Sequence, residues 1–334
     1  MDGEEVLRVP ETAELGDRAF RVVSPRALLE GVLREASCHP DLAYDPSTRF
    51  TGVLRDPTGR VVGARVVRNG GHLELPTDLL VGCDGRGSSV RTHAGLALAP
   101  AREAYDVLWF KVSPPPDELE ACDFHISVRS GQHPLVAYTS WDGQWQCGVI
   151  MPKGGMAEFR TADWLTPALR AAPTAFAEHV LAHRNAVSRP VRLNVTVGHA
   201  PSWSAPGVLV LGDAAHPMSP VRAQGINLAL RDAVVAANHL GGLAAGRPTP
   251  DAVNQACAAI QAEREPEILR AQRLQRREAR GQGDARAGTW RFTLAKRGAR
   301  AVGRYRWAQR AWLSRQRGLR FGTTRVVLDA LPDT

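Results

Sequence analysis

Two apolar runs in this chain each lead into an acidic residue, and this feature constrains the fold more than any other. Residues 79–83 (LLVGC) precede Asp84 and Gly85, and residues 208–211 (VLVL) precede Gly212 and Asp213. A short continuous apolar run bounded by polar residues is typical of a strand buried on both faces in a parallel sheet. The pattern therefore predicts an open α/β sheet with two polar loops at its ligand-binding edge.

The first of these loops, residues 84–91, reads DGRGSSVR. Its glycines would let the backbone approach a ligand, and the Ser88 hydroxyl and Arg91 guanidinium could meet a pyrophosphate. A tight turn with a solvated arginine explains the same residues, because short glycine patterns are common. This loop alone leaves both interpretations open.

The second loop, residues 212–220, reads GDAAHPMSP and is followed by QGIN at 224–227. A carboxylate directly after a buried strand can accept hydrogen bonds from a polyol. A helix that begins near Gly225 would present free N–H groups and a positive dipole end, which would stabilise an electron-accepting ring that becomes anionic. Alternatively, Asp213 or Ser219 simply caps a helix.

Periodicity and turn residues outline the rest of the chain. Residues 24–37 predict a helix capped by Ser24, and residues 51–75 predict a three-stranded antiparallel meander with turns at 56–59 and 68–71. Residues 102–151 predict a second, antiparallel sheet. Further along, the pattern predicts a helix over 165–183 broken at Pro173, a strand over 191–199, and a basic helical region at the C-terminus.

One helix is predicted over residues 224–240, directly after the second loop. Its apolar residues at helical spacing predict a single buried face and its two glycines predict its end: Ile226, Leu230, Val234 and Ala237 on the face, Gly241 and Gly242 at the end.

Composition excludes several classes of protein. The 334 residues are 44% hydrophobic and 23% charged, as in soluble globular proteins. No run approaches the roughly 18 apolar residues of a membrane-spanning helix, and the acidic start does not resemble a signal peptide, so we expect a cytoplasmic protein.

Five scattered cysteines without a CxxC pair predict reduced, mostly buried thiols and no metal site. We expect His179 and His183 to be ordinary surface histidines.

Basic charge is concentrated near the C-terminus. Residues 264–325 contain 17 Arg and one Lys against four acidic residues. Such a segment could contact an anionic membrane surface weakly, whereas a solvated helix face with aromatic side chains packed inward is the commoner arrangement. We expect the second arrangement and no nucleic-acid partner.

Together the two loops resemble a motif pair of FAD-dependent monooxygenases of the para-hydroxybenzoate hydroxylase type. DGRGSSVR is similar to the family's Asp-Gly motif, and GDAAHPMSP with QGIN is similar to its Gly-Asp motif. The resemblance covers most of residues 20–280 in order and spacing. It implies an FAD/NAD(P)-binding, Rossmann-like α/β layer interrupted by an antiparallel substrate sheet, with a helical C-terminus.

The resemblance also implies which residues bind the cofactor. Asp213, with Gly212 before it, would bind ribityl or ribose hydroxyls of FAD. Asp84 and Gly85 would lie beside the pyrophosphate and the path of the nicotinamide donor.

The remaining cofactor contacts implied by the resemblance lie on two helices and one loop. The backbone at the start of one helix would face the pyrimidine edge of the flavin, Pro220 would border its substrate side, and Arg26 on the helix of residues 24–37 would contact FAD. The backbone positions are Gly225, Ile226 and Asn227. The resemblance leaves the catalytic side chains unassigned.

The family reaction reduces FAD with NADH or NADPH and then uses O2 to hydroxylate or epoxidise a small organic substrate, here expected between the flavin and the sheet of residues 102–151. The motif WxWxIP of flavin-dependent halogenases is absent. The alternatives are a truncated or catalytically silent flavoprotein relative, and a membrane- or nucleic-acid-binding protein with a basic tail.

Two features depart from the family pattern. The initial strand with GxGxxG, and the acidic residue about 20 positions beyond it, are absent from this sequence, and Ala223 stands where relatives often have glycine. We therefore expect that the first βαβ unit is missing, that apolar sheet surface is exposed, and that the chain binds FAD weakly or not at all. The expected domains are a partial FAD-binding domain (1–100), a substrate domain (101–200), the completing FAD-binding part (201–260) and the basic helical segment (261–334).

Overall fold

Two units, each with its own sheets and apolar core, make up the chain in the computed structural model. The structure describes residues 15–16, 19, 21–101, 105–113, 124–244, 246, 248–284 and 290–329. The first unit comprises the described residues that fall within 1–43, 103–195 and 278–316. The second unit comprises those within 44–102, 196–277 and 317–334.

The helices and strands of the described residues are numbered here in chain order. The α-helices are α1 (Pro25–Ala36), α2 (Ser89–Ala94), α3 (Leu165–Ala168), α4 (Thr174–Ala182), α5 (Gly225–Ala244), α6 (Pro250–Asp284), α7 (Trp290–Arg304), α8 (Arg306–Arg315) and α9 (Arg317–Phe321). The strands are β1 (Thr48–Arg55), β2 (Val61–Arg68), β3 (Gly71–Pro76), β4 (Leu80–Gly82), β5 (Ala99–Ala101), β6 (Tyr105–Val112), β7 (Phe124–Ser127), β8 (Leu135–Thr139), β9 (Trp145–Pro152), β10 (Val191–Leu193), β11 (Val197–His199), β12 (Ser204–Ala205) and β13 (Val208–Val210).

The first unit contains the antiparallel sheet predicted for residues 102–151. Five strands are hydrogen-bonded in the order β10-β6-β9-β8-β7. One face packs on α3, α4 and the 3-10 turn Gly155–Phe159, through a core that includes Leu108, Phe110 and Phe176. The predicted helix break at Pro173 is confirmed, since α4 begins directly after it.

The prediction of one strand over residues 191–199 is wrong. The segment forms two strands in different sheets, because β10 pairs with β6 and β11 pairs with β5. Between them the Asp106 carboxylate accepts the Val195 N–H at 3.2 Å, and Lys153 donates to the Asn194 side chain at 2.6 Å. These polar contacts replace the ladder hydrogen bonds that a continuous strand would need.

The second unit begins with the predicted meander, β1-β2-β3, which is antiparallel throughout. The turn Asp56–Gly59 closes the first hairpin through the Gly59 N–H and the Asp56 carbonyl at 2.9 Å. In the second turn Asn69 and Gly70 both have positive φ, as a tight hairpin turn requires. Turn residues therefore set the register of this sheet.

The two apolar runs form neighbouring parallel strands, β4 and β13, with Val208 opposite Leu80 and Val210 opposite Gly82. Strand β12 completes this sheet as an antiparallel neighbour of β13. All of β13 is buried, but Val81 in β4 is 41% exposed. The prediction of burial on both faces is thus confirmed for β13 and wrong for β4.

Helix α5 follows the second loop, but its buried face differs from the prediction. Ile226 and Leu230, expected in the core, are exposed, whereas Leu228, Asp232 and Val235 are buried. The helix also continues through Gly241 and Gly242 to Ala244. An aspartate lies on the buried face because other residues satisfy its charge, which a count of apolar residues does not anticipate.

The C-terminal region is helical, as predicted, from α6 to α9. Phe292 packs inward, but the prediction of inward-facing aromatics is wrong for four others, which are exposed: Trp290, Tyr305, Trp307 and Phe321. A weak membrane contact of this region remains an untested expectation. Among the described residues, no helix is long and apolar enough to cross a bilayer.

The four thiols of the described residues divide evenly between buried and exposed, rather than being mostly buried as predicted. Cys147 and Cys257 are buried, whereas Cys38 and Cys83 are exposed; Cys122 lies outside the described residues. Burial raises the pKa of the Cys147 thiol to about 12. No group of three potential metal ligands occurs among the residues that the structure describes.

Candidate functional site

The two loops singled out in the sequence lie side by side at one edge of the sheet of the second unit. Because β4 and β13 are adjacent and parallel, their carboxyl ends meet at the same edge. Asp84 follows β4 and Asp213 follows β13 by two and three residues, respectively. The adjacency expected from the sequence is therefore confirmed.

Two arginines of the first loop bridge to the second loop. The Arg86 Nε donates to Asp213 Oδ2 at 3.2 Å, and these side chains are 34% and 32% exposed. Arg91 is buried; its guanidinium donates to the Ala214 carbonyl at 2.6 Å and to the Arg86 carbonyl at 3.0 Å. These bonds tie the two loops together.

The Asp84 carboxylate is occupied within its own loop. It accepts the Ser89 N–H at 2.7 Å and the Val90 N–H at 3.0 Å, as well as the Ser88 hydroxyl. Burial alone would raise the pKa of Asp84, but these hydrogen bonds outweigh it and hold that pKa below its usual value. Asp84 thus caps the start of α2 and shapes the loop, and its placement beside a pyrophosphate stays a prediction.

Two further groups that the sequence offered to a pyrophosphate are also used internally. The Ser88 hydroxyl is buried, donates to Asp84 and accepts the Arg91 N–H at 2.9 Å. The Arg91 guanidinium donates to carbonyl oxygens of the two loops. By contrast, Gly85 has a φ of 82° and open space where a side chain would lie, which leaves its backbone approachable.

Asp213 lies beside the start of helix α5. Its Oδ1 is 3.9 Å from the position that a Cβ on Gly225 would take, and it accepts the Met218 N–H at 3.4 Å. Ile226 and Asn227 are exposed in the first turn of α5, where N–H groups have no intrahelical acceptor. A partly exposed carboxylate and an open helix start therefore occupy one place on the surface.

The chain enters this helix through a strained segment after Pro220. Arg222 has a φ of 61° and Ala223 has a φ of 50°, values in the left-handed region that favour glycine. A glycine at position 223, which the resemblance implies, would adopt this conformation without strain. Ala223 adopts it here despite its Cβ.

Gly212 directs the second loop away from β13. Its φ is 58°, and a Cβ there would lie 3.0 Å from the Ala229 Cβ of α5. Both the conformation and the close approach of the helix require glycine. The turn that carries Asp213 is thereby packed directly against α5.

Behind this turn lies a buried ionic network that the sequence analysis missed. The Asp232 carboxylate accepts the Gly212 N–H at 3.0 Å and the Arg264 Nε at 2.8 Å, and it contacts His216 Nε2 at 2.6 Å. Burial alone would raise the pKa of Asp232, but the hydrogen bond from His216 and the charge of Arg264 hold it below its usual value.

Arg264 continues the network to Glu267, which it contacts through its Nη1. Glu267 also pairs with Arg231 at two distances of 3.0 Å and accepts the Thr323 N–H at 2.7 Å. Burial would raise the pKa of Glu267, yet the hydrogen bonds from Arg264, Thr323 and Arg231 lower it to about 2. Position 232 lies at helical spacing from the apolar residues Leu228 and Val235. A charged residue at that position is the sequence signal that could have revealed this network.

Arg26 lies in the first unit, on α1. Its guanidinium pairs with Glu30 at 2.6 Å and is 87% exposed. The helix is capped by Ser24 as predicted, but none of its residues is buried. A contact of Arg26 with a cofactor stays a prediction.

Comparison with known proteins was consistent with this arrangement. The family described as FAD binding domain matches residues 11–268. The 6-methylpretetramide 4-monooxygenase of Streptomyces rimosus is 34% identical over 76% of this chain and 59% of its own length. A kynurenine 3-monooxygenase of Salinispora arenicola is 32% identical over 64% of this chain and 51% of its own length. The chain thus spans between half and two thirds of these relatives.

Solved structures show the same fold at lower identity. PqsL of P. aeruginosa in complex with 2-aminobenzoylacetate is 24% identical, with a TM-score of 0.60 over 74% of this chain and 67% of that one. The anhydrotetracycline hydroxylase OxyS of Streptomyces rimosus is 22% identical, with a TM-score of 0.61 over 84% of this chain and 56% of that one.

Proposed function

The chain belongs to the FAD binding domain family, and from this premise we propose that it is a flavin-dependent monooxygenase that consumes NADH or NADPH and O2 to hydroxylate or epoxidise a small organic substrate. Relatives named as monooxygenases support the reaction class. FAD, when bound, supplies the redox chemistry, and the protein supplies binding and orientation.

One observation carries the proposal: the half-buried Asp213 carboxylate lies beside the open start of α5, at the edge where β4 and β13 end. A carboxylate there suits the hydroxyls of a ribityl or ribose group. N–H groups in the first turn of α5 suit the electron-rich edge of a reduced flavin, because the helix dipole stabilises negative charge. The site therefore fits FAD.

The other residues of the two loops have supporting roles in this proposal. Gly85 leaves its backbone free to approach the pyrophosphate, and Arg86, which is partly exposed, supplies positive charge beside it. Gly225, Ile226 and Asn227 would present the α5 backbone to the flavin, and Pro220 would border the substrate. Arg26 is the expected contact from α1.

Names of the relatives suggest which substrates to test first. A 6-methylpretetramide monooxygenase and an anhydrotetracycline hydroxylase are among the matched proteins, so a fused-ring aromatic compound is the first class to test. Kynurenine, a smaller aromatic amino acid, is the second. NADH and NADPH should be compared with each.

Incorporation of oxygen tests the proposal. The chain is incubated with excess FAD, NADH or NADPH, each substrate and 18O2, and products are analysed by mass spectrometry. We expect a product carrying one 18O atom, formed more slowly by Asp213→Asn than by Asp251→Asn, a matched change at an exposed position of α6. Consumption of NAD(P)H without labelled product, or equal rates for the two variants, would contradict the proposal and favour a catalytically silent relative.

A further inference from the structure

The loop that carries Asp213 is held from behind by one carboxylate. Asp232 Oδ2 accepts the N–H of Gly212 at 3.0 Å and lies 2.6 Å from Nε2 of His216. Gly212 begins the 3-10 turn Gly212–Ala214 and His216 lies two residues beyond it, so the same oxygen contacts the start of the turn and the segment just after it. Asp213 lies between these two contacts.

Arg264 fixes the orientation of this carboxylate. Its Nε donates to Asp232 Oδ1 at 2.8 Å, which leaves Oδ2 directed to the turn. The side chains of Asp232, His216 and Arg264 are at most 1% exposed. Water therefore does not compete for these hydrogen bonds, and a carboxylate held by a guanidinium binds an N–H strongly.

The backbone of the turn depends on this support. Gly212 has a positive φ, and its carbonyl accepts the N–H groups of Ala215 at 2.9 Å and of His216 at 2.8 Å. Among the described groups, the one that holds the Gly212 N–H is Asp232. If that acceptor is removed, a buried N–H loses its partner and the turn must rearrange to satisfy it.

We propose that Asp232 is a positioning residue for the cofactor site: clamped by Arg264, it holds the Gly212–His216 turn so that Asp213 is presented at the ligand-binding edge. The inference that this support affects FAD binding rests on the proposed function. The inference that Asp232 holds the turn rests on the geometry alone.

Glu267 provides a matched control. It belongs to the same buried network through Arg264, but it faces the C-terminal segment, where it accepts the Thr323 and Thr324 N–H groups at 2.7 and 3.3 Å. Glu267→Gln therefore removes a buried charge of the network without removing an acceptor from the turn. A general loss of stability affects both variants, whereas a positioning effect affects the Asp232 variant alone.

The first experiment measures hydrogen exchange of the Gly212 amide in the FAD-free protein, by mass spectrometry with fragment resolution. We expect Asp232→Ala to accelerate exchange at least about tenfold, as loss of one strong hydrogen bond implies. Asp232→Asn keeps one of the two acceptor oxygens, so we expect it to accelerate exchange less than alanine does, and it remains informative if the alanine variant fails to fold. Glu267→Gln accelerates Gly212 only as much as it accelerates the buried Val210 amide of β13, which donates to the Trp203 carbonyl and reports the loss of global stability. Equal acceleration of Gly212, relative to Val210, in the Asp232 and Glu267 variants overturns the proposal.

The second experiment measures FAD binding to the same four proteins by equilibrium dialysis up to millimolar FAD. We expect the dissociation constant to rise for the Asp232 variants, alanine more than asparagine, and to stay unchanged for Glu267→Gln. Faster Gly212 exchange with unchanged FAD affinity would overturn the link to the cofactor site. Absence of FAD binding by the unmodified chain would instead count against the proposed function, while the exchange data still decide whether Asp232 holds the turn.

Discussion

Replacement of Glu267 by glutamine tests the energetics of the buried network. The carboxyl is about 1% exposed, and its pKa is about 2, against an ordinary value of 4.5. At about 1.4 kcal/mol per pKa unit, this difference is worth about 3 kcal/mol of stability. Breaking a buried ion pair by removing one partner costs about 3–5 kcal/mol, so the two arguments agree.

The sign of the pH dependence follows from the lowered pKa. A carboxyl whose pKa is lower in the folded state stabilises the fold fully above its ordinary pKa, and this contribution is lost as the pH falls through the folded-state value. We therefore expect Glu267→Gln to lower the free energy of unfolding by about 3 kcal/mol at pH 7, and the deficit to shrink as the pH falls from 4.5 toward 2.

Urea unfolding followed by circular dichroism, at pH 7, 4.5 and 3, measures this difference. Glu263→Gln is the matched control, because Glu263 is on the same helix and its pair with His239 is solvent-exposed; such a pair contributes at most about 1 kcal/mol. If the Glu267 and Glu263 variants unfolded at the same urea concentration, or if the Glu267 deficit did not change with pH, the reasoning would be refuted.

Three further predictions concern backbone strain and a buried thiol. Gly212→Ala should lower the free energy of unfolding by about 1–2 kcal/mol, because its φ is positive and the new Cβ would crowd Ala229; an unchanged urea midpoint would contradict this. Ala223→Gly, at a φ of 50°, should leave the midpoint unchanged or raise it slightly, since relief of strain offsets the greater freedom of glycine, and a clear loss would be a contradiction. Peptide mapping after alkylation should find Cys83 modified in the native protein and Cys147 modified only after unfolding, because Cys83 is exposed and Cys147 is buried.

Local signals predicted much of the secondary structure. The meander followed from its turn residues at 56–59 and 68–71, and the helix at Pro25–Ala36 followed from Ser24 and Pro25, which cap and start it. The adjacency of β4 and β13 also followed, because two apolar runs ending in polar loops belong to one parallel sheet. In each case the residues that determine the structure are close in sequence or share a strong pattern.

Features that depend on distant partners could not be predicted in this way. The buried face of α5 was assigned wrongly because Asp232 is stabilised by Arg264, 32 residues away. The roles of Asp84 and Arg91 within their own loops depend likewise on contacts that no local pattern specifies. A buried charge is tolerated only when its partners are in place, and those partners are set by the tertiary fold.

We propose that the loops after β4 and β13 form one FAD site. Hydrogen exchange of the unmodified chain, measured over a range of FAD concentrations up to millimolar, tests this proposal and detects even weak binding. We expect the segments 84–91 and 212–216 both to gain protection, with the same half-saturating FAD concentration. Protection of one segment alone, or of neither, would contradict it.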